Sequence, residues 1–138
     1  AYTTRNLERE DWWCVPHQRD ALRDAFRMAG VTPQDIDVAQ LYDAFSPLVP
    51  LSLEGYGFCE RGEGLAFCQD RGIAWDGGRL PVNTSGAGLS EAYVHGFNLV
   101  TEGVRQLRGT STAQVAGAQV SLVTSGEGVP TSALLLRR

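Results

Sequence analysis

Apolar positions change their spacing several times along this chain, and each change marks an element. Ala21, Leu22, Ala25, Phe26, Met28 and Ala29 recur at helical spacing, which predicts a helix over 17–29 with a broad apolar face. Gly30 follows, suited to the left-handed residue beyond a helix end. Val31-Thr-Pro-Gln-Asp turns the chain, and Ile36, Val38 and Leu41 then read as a short strand over 36–41. Tyr42 and Asp43 fall at its carboxyl end, the edge where open α/β sheets keep their sites. Residues 44–58 read as helical, interrupted near Pro47 and Pro50, and 60–78 as a glycine-rich excursion with a short helix. Ser90 is a good N-cap. Phe97, Val100, Val104 and Leu107 then give the buried face of a helix over 92–107, stopped by Gly109. Strands are predicted over 115–123 and 132–136. The order α-β-α-loop-α-β-β predicts an α/β layered domain with a single sheet over 17–138. Residues 1–16 read as a connector anchored by Trp12-Trp13, which suits packing or an interface.

Bulk properties narrow the classes. The 138 residues suit one domain with a modest core. A net charge of -4 and no Lys/Arg cluster argue against a nucleic-acid surface. No apolar run approaches the roughly 20 residues of a membrane span, and no signal-peptide pattern opens the chain, so a cytoplasmic protein is expected. Cys14, Cys59 and Cys68 are odd in number and lack metal-ligand spacing, so the reading is of reduced structural thiols and no metal.

Two tyrosines and a loop carry the candidate chemistry. Asn83-Thr84-Ser85-Gly86-Ala87-Gly88 is a loop whose glycines let main-chain amides approach a ligand. It runs toward a predicted helix N-terminus, which favours developing negative charge. Tyr93 then falls in the first turn of that helix, where the dipole lowers a phenol's pKa from its usual ~10. Each tyrosine has a plainer reading too, as a half-packed amphipathic ring, and Asp43 as an acceptor that orients a turn. His95, two residues beyond Tyr93, would face away from it on a helix, and His17 would be solvated.

Asp-Ile-Asp-Val (35–38), Asp43-Ala-Phe, Pro81-Val-Asn-x-Ser-Gly and Gln106-Leu-Arg-Gly stand in an order that resembles the C-terminal half of a thiolase of the sterol-carrier-protein-linked kind. The family's His-Asp-Cys-Phe appears as Tyr42-Asp43-Ala44-Phe45, its Gly-His-Pro lacks a histidine in register, and Tyr93 falls there. Thr124-Ser125-Gly126 replaces the late Cys-x-Gly. With both catalytic signatures gone, the chain is most similar to the thiolase-like aldolases of steroid side-chain degradation.

The resemblance implies a thiolase-like fold, a layered mixed sheet covered by helices, with the first half of the fold absent from this chain, which starts at Ala1 rather than Met. It implies retro-aldol cleavage of a steroid 3-hydroxyacyl-CoA to a ketosteroid and a short acyl-CoA. CoA is then part of the substrate, and no separate cofactor is expected. Tyr42 and Tyr93 would be the acid and base in an order left open. Asn83, Ser85, Gly86, Gly88, Thr124 and Gly126 would contact substrate. A homodimer is implied, as is a partner hydratase's zinc-ribbon/OB-fold domain. The competing readings are a degenerate thiolase or acyl-CoA acyltransferase, and a non-catalytic acyl-CoA-binding assembly subunit.

Overall fold

The computed structural model describes residues 16–92, 94–125 and 131–138, with side-chain surroundings from Leu22 onward. The connector with Trp12, Trp13 and Cys14 lies outside the described residues, as do Tyr93 and Gly126.

Helix α1 runs Pro16–Ala29 and stops where predicted, with Gly30 at φ 65°. Strand β1 is only Val38–Gln40, shorter than expected, because Leu41 has already left the ladder. Helix α2 spans Leu48–Gly55 with Pro47 as its N-cap, so Pro50 lies in the first turn, where a missing amide costs no helical bond. Helix α3 is Gly64–Cys68 and α4 is the single turn Ala87–Ser90. Helix α5 runs Phe97–Arg108, β2 Val120–Ser125 and β3 Ser132–Arg137.

The three strands form one sheet in the order β1-β2-β3. The β1–β2 pairing is parallel, with Ala39 opposite Leu122, and β2–β3 is antiparallel, with Leu122 opposite Leu135. Val82 adds a parallel bridge to Ala39 on the free side of β1. Successive strand residues face opposite sides. Val120 and Leu122 join Leu22, Phe26 and Leu53 in one core, while Val123 joins Leu99 and Ala87 in another. Thus α1 and α5 cover opposite faces, and β2 is buried from Val120 to Thr124. Gly103 permits the close approach of α5: a Cβ there would lie 2.8 Å from Val123 Cγ2 and 3.1 Å from Ser121 Oγ.

Three expectations are corrected. Helix α5 begins at Phe97, not 92. Its N-cap is Gly96 at φ 88°, preceded by His95 at φ 52°, and this left-handed pair cannot belong to a helix. Ser90 therefore ends α4 and caps nothing, and position 93 precedes α5, so the dipole argument for Tyr93 falls away. The buried face of α5 is Leu99, Glu102, Gly103, Gln106 and Leu107, whereas Phe97 is exposed. Finally, β2 starts at Val120 and not 115, because Gly117 at φ 75° holds a turn just before it.

Candidate active site

The carboxyl end of β1 feeds the site. Gln40 is the last paired residue, and the chain then presents Leu41, Tyr42 and Asp43 in succession. The Leu41 amide donates to Asn83 Oδ1 at 2.7 Å, and the Asn83 amide donates to the Ala39 carbonyl at 3.0 Å. The Tyr42 amide donates to Thr124 Oγ1 at 3.0 Å. Residues 83, 124 and 42, far apart in sequence, thus meet at one sheet edge. The Tyr42 ring is half-buried against Ala87, Leu99 and Val123. Its Cδ2 would lie 3.5 Å from a Cβ on Gly96, an ordinary van der Waals contact, so it is the φ of 88° and not the ring that calls for glycine there.

Asp43 is buried, and its carboxylate receives the Gly88 amide at 2.9 Å and the Leu89 amide at 3.2 Å. This fastens the loop to the end of β1, the turn-orienting geometry that one reading gave Asp43. The loop is strained: Asn83, Gly86 and Ala87 all have positive φ. A Cβ on Gly86 would approach Ser90 Cβ to 2.7 Å, so only glycine fits there. Left-handed non-glycine residues persist where surrounding contacts over-determine them, often at functional sites.

Several loop donors are engaged within the chain. The Gly86 amide donates to the Asn83 carbonyl at 2.8 Å, and Gly88 is held by Asp43. Ser85 Oγ donates to Glu91 Oε2 at 2.9 Å, which also receives Asn98 Nδ2 at 3.1 Å. Glu91 was missed in the sequence. Its spacing from Ser85 and Asn98 carries no motif, and only the fold reveals the carboxylate between them.

Beside Leu89 opens a groove of about 770 Å³ lined by Pro47, Val49, Pro50, Leu65, Ile73 and Leu89. Among the described residues, no group of His, Cys, Asp and Glu is arranged to hold a metal ion, and no helix is long and apolar enough to cross a membrane.

Cys59 and Cys68 are free and half-buried. Burial, reinforced by Glu54 and Glu63, pushes the Cys59 thiol up to about 11, and burial raises Cys68 as well. The thiolate is the nucleophile, so a raised pKa leaves both thiols protonated and sluggish at neutral pH. Alkylation of Cys59 by iodoacetamide should be slow at pH 7–8 and should accelerate as pH rises toward 11. A rate already at its plateau by pH 8 would show a reactive thiolate instead.

The chain matches the thiolase C-terminal domain-like family over residues 1–136. It belongs to that family. It is 47% identical over 135 residues to the 17-hydroxy-3-oxo-4-pregnene-20-carboxyl-CoA lyase of Mycobacterium tuberculosis, covering 98% of this chain and 35% of the relative. It is 50% identical over 122 residues to the steroid side-chain-cleaving aldolase of Thermomonospora curvata, covering 88% of this chain and 31% of the relative. A solved structure titled Ltp2-ChsH2(DUF35) aldolase superposes with a TM-score of 0.91 at 44% identity, covering 95% of this chain and 34% of that one. The thiolase-like α/β fold expected from the sequence is therefore the observed one. This member of the thiolase C-terminal domain-like family spans about a third of the length of the curated relatives it matches.

Proposed function

We propose that this chain is the C-terminal part of an aldolase that cleaves the side chain of a steroid 3-hydroxyacyl-CoA, releasing a ketosteroid and a short acyl-CoA. The observation that carries the reading is Tyr42 at the end of β1, its backbone amide bonded to Thr124 beside the strained 83–88 loop, in a chain this similar to side-chain-cleaving lyases.

The reaction needs a base for the β-hydroxyl, a donor for the thioester oxygen and an acid for the resulting enolate. Loss of the hydroxyl proton lets the C–O bond become C=O as the Cα–Cβ bond breaks. The electron pair passes into the thioester enolate, which then takes a proton at Cα. No covalent cysteine is required. Tyr42 and Tyr93 supply base and acid. Asn83 supplies a donor: its Oδ1 is fixed by the Leu41 amide, which turns its Nδ2 hydrogens away from that bond. Ser85, Gly86, Gly88, Thr124 and Gly126 contact the substrate in this reading. The groove beside Leu89 offers an apolar surface to the ring system.

The active form is a dimer bound to a zinc-ribbon/OB-fold partner domain. Support comes from Phe45, Val94 and Phe97, large apolar side chains left exposed outside the groove. Turnover in D2O by the full-length protein with its partner tests the reaction. The released acyl-CoA should carry a single deuteron at its α-carbon, delivered to the enolate. Consumption of free CoA would favour a thiolase, and absence of either product a binding subunit.

A further inference from the structure

We propose that Thr84 and Glu102 are positioning residues for the candidate site, fixing Asn83 and the end of β1 through a buried polar network behind the loop; this rests on the aldolase reading. Glu102, Gln106 and Gln40 are each at most 2% exposed. Thr84 Oγ1 donates to Glu102 Oε1 at 2.6 Å. It accepts from Gln40 Nε2 at 3.1 Å and from Gln106 Nε2 at 2.9 Å. A hydroxyl has one hydrogen and two lone pairs, so donating to Glu102 and accepting from Gln40 sets its orientation, while Gln106 Nε2 shares its two hydrogens among Thr84, Glu102 and the Ala113 carbonyl at 2.8 Å. Glu102 Oε1 also receives Ser111 Oγ at 2.6 Å and Gln106 Nε2 at 3.0 Å.

Stability alone gives poor reason for a carboxylate at a helix–sheet seam, since a well-packed apolar residue there is often as stable or more so. What the network does secure is geometry. Gln40 lies two residues before Tyr42, and Thr84 directly follows Asn83, whose amide bonds Ala39 in β1 and whose side chain accepts from Leu41 just beyond it. Asn83 holds φ 51°, a conformation that needs its neighbours to enforce it. The hydroxyl of Thr84 therefore ties α5, the loop and β1 at one point directly behind Asn83 and Tyr42.

The test uses Thr84→Val, Thr84→Ser and Glu102→Gln in the full-length protein with its partner. Misplacement on the ångström scale is enough to cost up to about 10²-fold in rate, so Thr84→Val should lower kcat by about 10–100-fold with KM nearly unchanged. Hydrogen exchange should accelerate locally at the Leu41 and Asn83 amides while the β2–β3 amides stay protected. Thr84→Ser, which restores the hydroxyl, should recover both, and Glu102→Gln should show the same local pattern more weakly. Unchanged kcat and protection in Thr84→Val would overturn the proposal, as would protection lost uniformly across the molecule in both Thr84→Val and Glu102→Gln. A wild type without lyase activity would sink the aldolase reading instead, and the exchange measurements would still decide whether Thr84 fixes the loop.

Discussion

Tyr42→Phe and Tyr93→Phe should each lower turnover by about 10²–10⁴-fold, the usual contribution of a positioned proton-transfer group. For Tyr42 the structure explains why folding should survive. Tyr42 packs against the cluster of Ala87, Leu99 and Val123, close to Gly96, and phenylalanine keeps that ring packing. Thr124 is bonded by the residue's backbone amide, which the substitution leaves alone. Turnover should therefore fall steeply while the protein still unfolds cooperatively, with turnover and thermal midpoint measured together. If both variants cleave at near-normal rates, the phenols only pack. If turnover and midpoint fall together, the hydroxyls are structural.

Asp43→Ala should be the most destabilising polar substitution in the site. The carboxylate is 3% exposed and is the acceptor for two amides, Gly88 and Leu89. Hydrogen bonds to a charged acceptor contribute about 1.5–3 kcal/mol, and a buried donor left without its partner costs a further desolvation penalty. A loss of about 2–4 kcal/mol follows, read as a shift in urea midpoint without a change in slope. Activity should fall too, because the loop that carries Asn83 loses its tie to the end of β1. Asp43→Asn keeps one acceptor oxygen and should sit between wild type and alanine. An Asp43→Ala protein as stable as wild type would mean that water replaces the carboxylate at both amides.

Local signals made most of the fold legible. The spacing of Leu22 and Phe26 with Gly30 beyond the helix end fixed α1, and Gly109, at φ 72°, ended α5 as expected. The order of apolar segments gave the three strands of one sheet. The start of α5 was not legible. Ser90 has the chemistry of a cap, but the backbone at His95 and Gly96 decides where the helix begins; Gly96 suits a left-handed residue, whereas the histidine before it gives no such signal. The buried face of α5 misled for a different reason. Apolar spacing pointed to Phe97, Val100, Val104 and Leu107, of which Leu107 is buried, yet Glu102 and Gln106 are buried too because Thr84, Ser111 and Gln114 satisfy them. Those partners are brought together only by the fold. The meeting of Tyr42 with Thr124 across 82 residues was likewise invisible to periodicity and was suggested only by family resemblance.

The fate of free CoA separates retro-aldol cleavage from thiolysis. While the full-length protein and its partner turn over a steroid 3-hydroxyacyl-CoA, ketosteroid and short acyl-CoA should accumulate in equal amounts with free CoA unchanged. Stoichiometric loss of free CoA, or product that forms only when CoA is added, would show thiolysis and contradict the retro-aldol assignment.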